Sequence, residues 1–130
     1  MSIQWDIPES LPRVWADRHA LLQAFLNLSK NSQRAMEGQD RKNMTVRASL
    51  ERNCLKVRFV DTGSGVANPE RLFEPFQPGA EASGLGLYLS RTFVRAFQGD
   101  IEYEPRPAGS CFTVILALAS DHQPAIVESM

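Results

Sequence analysis

No run of apolar residues in this 130-residue chain is long enough to cross a bilayer, and no charged-then-apolar leader opens it. The chain is therefore expected in the cytoplasm without direct membrane contact, although a larger parent protein could be anchored. An excess of either charge sign is also lacking. Fourteen Lys and Arg against fifteen Asp and Glu leave a formal charge of −1. Such a balance gives no field suited to nucleic acid, and none is expected as a partner. Cysteine is scarce. Cys54 and Cys111 are far apart, make no metal-ligand spacing and each fall in a strand-like run, which predicts buried free thiols. Internal repeats are absent, as are the phosphate loop ending in Lys-Ser/Thr and the dinucleotide glycine fingerprint. What remains is an ordinary apolar content of 43% in a length that favours one domain with a real core.

Taken in order, Ile3 to Ile7 alternate apolar and polar until Pro8, and Arg13-Val14-Trp15 follows Pro12; both read as short strands. Asp17 is placed to cap a helix from about residue 18 to Met36 or Glu37, with Gly38 as its stop. Its apolar face is expected from Leu21, Leu22, Phe25, Leu28, Ala35 and Met36. A hairpin follows: Asn43 to Glu51, with Met44, Val46, Ala48 and Leu50 on one face, a tight turn at Arg52-Asn53, and a strand to about Val60. Residues 61–84 are dense in glycine and proline and lack periodicity, which marks a functional loop. Helical spacing returns from Gly84 through Leu87, Leu89, Phe93, Val94 and Phe97 to Gly99. Ile101 to Tyr103 and Ser110 to Leu118 read as strands around a turn at Pro105–Gly109. From about Ala119 the chain reads as a tail or linker stub, leaving a domain over residues 1–118. This order predicts an α+β fold, a two-layer α/β sandwich. Its sheet is mixed but mostly antiparallel and covered on one face by about three helices.

The stretch Asn27-Leu28-Ser29-Lys30-Asn31-Ser32-Gln33-Arg34 is unusual within its helix. Asn27 and Asn31 stack one turn apart, and Arg34 shares their side. Asparagine is a mediocre residue in a helix interior. Two readings fit. The amides are satisfied core or surface groups, or they form a site for a hydrated cation and phosphates, since amide oxygen suits magnesium and guanidinium suits phosphate.

Three loop segments are read the same way. Asp61-Thr62-Gly63-Ser64-Gly65 leaves a strand directly; it is either a tight Asx-type turn or a carboxylate held to accept from an exocyclic amine such as that of adenine. Gly84-Leu85-Gly86-Leu87 opens a helix, as a flexible entry or as backbone N–H groups presented to phosphate. Between them, Leu72-Phe73-Glu74-Pro75-Phe76 reads as an apolar latch or an ordinary packed turn. The small residues 77–84 could close over a ligand.

Each segment alone is common. Four in this order and spacing are specific, and together they resemble the ATP-binding catalytic domain of sensor histidine kinases, within the wider Bergerat-fold superfamily. The asparagine helix matches that family's N box, Asp61–Gly65 its first glycine box, Phe73–Phe76 its F box and Gly84–Leu87 its second glycine box. Gly109-Ser110-Cys111-Phe112 resembles the stretch that opens the last strand. The resemblance spans about residues 3–118 and implies ATP and Mg2+ as ligands. By it, Asn31 binds the metal between the phosphates, Asn27 lines the same site, and Arg34 contacts phosphate. Asn31 and Arg34 are thereby the catalytic pair. Asp61 reads the adenine amino group, Gly63 and Gly65 admit the base, and Gly84, Leu85, Gly86 and Leu87 form the turn that holds the phosphates.

The resemblance also implies partners. One is a helical dimerisation domain carrying the phosphoacceptor histidine. The other, reached indirectly, is a response-regulator receiver domain. The isolated piece is expected to be a monomer. Hydrolysing members of the superfamily, and its serine kinases, generally carry glutamate four residues before the metal asparagine. Asn27 stands there and cannot take a proton. This favours a histidine kinase over an ATP hydrolase. Two departures stand out: residues 77–84 contain no Lys or Arg, and neither His19 nor His122 reads as a phosphoacceptor. A non-catalytic nucleotide-binding or scaffolding module is the alternative.

Overall fold

The computed structural model describes residues 2–65, 69–75, 86–107 and 109–119. Five strands form one sheet: β1 (Ser2–Asp6), β2 (Asn43–Glu51), β3 (Cys54–Asp61), β4 (Asp100–Arg106) and β5 (Gly109–Ala117). Their spatial order is β1-β2-β3-β5-β4. β1 runs parallel to β2, and the other neighbours are antiparallel. Two α-helices, α1 (Arg18–Ala35) and α2 (Gly86–Ala96), cover one face, with a single 3-10 turn at Pro69–Arg71. The mixed, mainly antiparallel two-layer sandwich is therefore present. Among the described residues the helix count is two plus that one turn, rather than three.

The elements follow from local chemistry. The Asp17 carboxylate accepts from the N–H groups of His19 and Ala20, satisfying donors at the start of α1. At the other end Gly38 takes a left-handed φ of 78°. The β2–β3 turn places both Arg52 and Asn53 at positive φ, which matches the twist of the strands it joins. Met44, Val46 and Phe59 point into the helix layer and pack with Leu21, Leu28 and Val94 in one core.

Several expectations need correction. Arg13–Trp15 is not a strand of the sheet; only Val14 makes an isolated bridge, to Leu118. β4 continues through Pro105 to Arg106, shortening the expected turn. A sheet edge tolerates a residue without an N–H. Leu50, at the hairpin end of β2, stays 59% exposed, beyond Arg47 where the pairing with β1 ends. Leu22 and Phe93 are exposed as well. The buried stripe of α2 runs instead through Gly86, Ser90 and Val94.

The opposite face of the sheet carries charge. Arg47 pairs with Asp6 at 2.9 Å, and Glu51 accepts from Arg58 at 2.6 Å and from Ser49 at 2.6 Å. The Arg58 hydrogen bond, supported by Ser49, lowers the Glu51 pKa from 4.5 to about 2. A carboxylate depressed in the folded state contributes stability above its unfolded pKa, and loses it as pH falls through the folded value. Glu51→Gln is expected to be slightly less stable than the parent chain at neutral pH. The gap should close as pH falls from 4.5 to about 2. Urea denaturation across that range checks this; a constant gap contradicts it.

Candidate functional site

Asp61 is the last residue of β3 and is 1% exposed. Burying a carboxylate requires hydrogen bonds to it. Oδ1 accepts from the Gly63 N–H at 2.9 Å, and Oδ2 accepts from the Ser110 hydroxyl at 2.9 Å. Ser110 is its pairing partner on β5. The carboxylate is thus held from two sides, by its own turn and by the neighbouring strand. Gly109, just before Ser110, has φ +117°, and a Cβ there would collide with the Asp61 carbonyl. Only glycine lets the two strand ends approach this closely.

The loop after Asp61 docks on the end of α1. The Ser64 N–H donates to the Ala35 carbonyl at 3.0 Å. A Cβ on Gly63 would lie 2.6 Å from that same oxygen. The Thr62 hydroxyl accepts from the Asn43 N–H and donates to the Arg41 carbonyl, both at 3.0 Å. The last turn of α1, one turn beyond Asn31, is therefore bonded to the segment that carries Asp61. An orphan carbonyl at a helix end finds its partner in the same contact.

Asn27, Asn31 and Arg34 are part-buried on the side of α1 that meets α2. Arg34 Nη2 donates to Asn31 Oδ1 at 3.2 Å. Asn27 Nδ2 donates to the Gly86 carbonyl at 3.3 Å and to Ser90 Oγ at 2.9 Å. Gly86 and Ser90 are buried, and Leu87 is partly buried against the core. Gly65 takes φ +82° with nothing crowding it. The structure thus places Asn27 and Gly86 together, Asn31 and Arg34 together, and Asp61 and Gly63 together. The three pairs are joined through α1. Gly84, Leu85, Phe76, residues 77–84 and His122 lie outside the described residues.

Of the two phenylalanines flanking Glu74-Pro75, Phe73 is among the described residues. It stacks edge-on to Phe112 with ring centroids 6.5 Å apart, and the Arg91 guanidinium lies 4.4 Å above its ring. Arg91 and Arg95 both reach Asp100. Burial works against ionising Asp100, but hydrogen bonds from Arg95, the Ile101 N–H and Arg91 outweigh it and lower its pKa.

Three participants escaped the sequence reading. Ser90 is polar and lies near the conspicuous Phe93, although Gly86, Ser90 and Val94 share a four-residue spacing. Ser110 lies at the start of the last strand, and nothing local in the sequence ties it to Asp61. Ser32, beside Asn31, is buried with no hydrogen-bond partner for its hydroxyl among the described residues.

Among the described residues no group of three His, Cys, Asp or Glu could hold a metal ion. The available oxygen donors on α1 are neutral amides, which suit an ion that arrives with phosphate ligands rather than one caged by protein. Gly63→Ala should force the loop off Ala35 and cost about 1–3 kcal/mol of stability. Denaturant unfolding measures this, and an unchanged midpoint contradicts the docking described.

A profile of the histidine kinase-, DNA gyrase B- and HSP90-like ATPase family matches residues 16–120. The C4-dicarboxylate transport sensor protein DctS of Rhodobacter capsulatus is 31% identical over 121 residues, covering 88% of this chain and 18% of that protein. The chain thus spans under a fifth of that relative. The sensory histidine kinase/phosphatase NtrB of Vibrio alginolyticus is 30% identical over 130 residues, covering 89% of this chain and 37% of its own. Among solved structures, the catalytic domain of histidine kinase ThkA superposes with a TM-score of 0.74 at 24% identity, covering 88% of this chain and 78% of that one. No helix among the described residues is long and apolar enough to cross a membrane. The chain belongs to the histidine kinase-, DNA gyrase B- and HSP90-like ATPases, as an ATP-binding catalytic domain of the sensor histidine kinase type.

Proposed function

We propose that this domain binds ATP with Mg2+ and transfers the γ-phosphoryl group to a histidine on a separate helical dimerisation domain of the same kinase. A response-regulator receiver domain then takes the phosphoryl group onward. The observation that carries the reading is the joining of Asp61 and Asn31 through the last turn of α1. The Ser64 N–H reaches the Ala35 carbonyl at 3.0 Å, and Ala35 follows Asn31 by one turn. A buried acceptor suited to an exocyclic amine and an amide oxygen suited to a metal–phosphate thereby sit on one rigid frame.

The roles follow from chemistry. Asp61 accepts from the adenine amino group, its two oxygens already oriented by Gly63 and Ser110. Gly65, with only the Gly109 carbonyl near its open side, leaves room for a flat base, whereas the space a Gly63 side chain would fill is taken by Ala35. Asn31 would offer Oδ1, which here accepts from Arg34 at 3.2 Å, to the ion, and Arg34 would bring positive charge to the phosphates. Magnesium, when bound, offsets charge on the transferring phosphoryl group. The acceptor histidine attacks the γ-phosphorus with its own ring nitrogen, and the bond to the ADP oxygen breaks. That nitrogen needs no base, so Asn27 in place of a carboxylate is compatible with transfer to histidine. Gly84, Leu85, Gly86 and Leu87 are proposed to hold the phosphates from the start of α2.

A second reading, a nucleotide-binding module without catalysis, draws on the absence of Lys and Arg from residues 77–84. Labelled ATP, this domain and the kinase's helical domain mixed in trans separate the two. Label on the helical domain's histidine supports transfer, and binding without label supports the module. In calorimetry, Asn31→Asp and Asp61→Asn should each weaken Mg2+-dependent ATP binding by at least about tenfold. Undiminished affinity in both variants refutes the assignment.

A further inference from the structure

Asn27 faces α2, and its orientation is fixed by chemistry rather than by choice. A backbone carbonyl can only accept, so the group 3.3 Å from the Gly86 oxygen must be the amide nitrogen. Its second contact, at 2.9 Å, is Ser90 Oγ. The two amide hydrogens are thereby committed to one turn of α2, while Oδ1 is the only acceptor left. Ser90 is 1% exposed and lies four residues after Gly86, on the stripe that lets α2 approach α1. Asn31 stands one turn further along the same side of α1.

We propose that Asn27 is a positioning residue rather than a ligand of the metal or phosphates. Its amide ties the first turn of α2, through the Gly86 carbonyl and the Ser90 hydroxyl, to the helix that carries Asn31. The tie sets the spacing between Asn31 and the start of α2, and so the room for a triphosphate between them. This rests on the ATP reading above. It also explains why a neutral amide stands at position 27. A carboxylate there would direct an acceptor at the Gly86 carbonyl, and the two oxygens would repel. The position cannot serve as general base and as tie at once.

The test compares two ligands in calorimetry on the whole chain: MgATP, which needs both ends of the site, and adenosine, which needs only the Asp61 end. Ser90→Ala, a small change expected to fold, should weaken MgATP by roughly 2–10-fold and leave adenosine affinity unchanged. Asn27→Ala should do the same, and Ser90→Ala should add little in the Asn27→Ala background, because one interaction is lost once. Asn27→Asp should weaken MgATP further. Equal losses for both ligands, full additivity, or tighter Mg2+ binding by Asn27→Asp would each overturn the tie; the last would make residue 27 a metal ligand. If the unmodified chain binds neither ligand, the ATP reading itself falls and this inference with it. If it binds both and Ser90→Ala changes neither, only the inference falls.

Discussion

The docking of the Asp61–Ser64 turn onto the last turn of α1 is the contact on which the rest depends. It fixes the turn after β3 against the end of a helix that already packs on that strand through Phe25 and Phe59. The Ala35 carbonyl is unsatisfied at a helix end, and the Ser64 N–H needs a partner on leaving β3; each supplies the other's need. Glycine at position 63 allows the approach, because any side chain there would overlap the Ala35 backbone. The same turn delivers the Gly63 N–H to Asp61. One short segment therefore both orients the carboxylate and fixes it relative to the asparagine helix.

The second boundary of the site lies between the helices. Apolar packing of α2 is concentrated toward Val94 and Phe97, while the start of its buried stripe is made of the small residues Gly86 and Ser90. Small residues permit closeness but bury little apolar area. The Asn27 amide supplies direction where area is lacking. At the far side, Arg91 bridges Phe73 and Asp100, so the segment that precedes the glycine turn is held by the same helix that follows it. Both ends of the stretch between Phe73 and Gly86 are thus anchored to α2.

Much of this was legible in the sequence because periodicity and punctuation report burial directly. Asn43–Glu51 forms a strand at the expected bounds, and α1 starts after Asp17 and ends before Gly38 as capping chemistry dictates. The misreadings share a cause. Leu22, Leu50 and Phe93 are apolar at plausible spacings, yet what covers them is decided by tertiary placement, which no local pattern encodes. Val14–Leu118 is likewise a single bridge, not a strand, because Pro12 and the helix cap leave no length to pair. At the site, the residue types were legible and their partners were not. Asn27 reads as one of two equivalent amides until α2 is seen to carry Ser90 opposite it. Ser110 acquires meaning only from its register with Asp61.

The central claim is that the Asp61 turn and the Asn31 side of α1 form one site for one nucleotide. The most direct measurement is an NMR titration with a nonhydrolysable Mg2+–ATP analogue, following the Gly63 backbone amide and the Asn31 side-chain amide together. The account predicts that both signals shift along curves with a single shared dissociation constant. Movement of one signal while the other stays still, or two distinct constants, would contradict it.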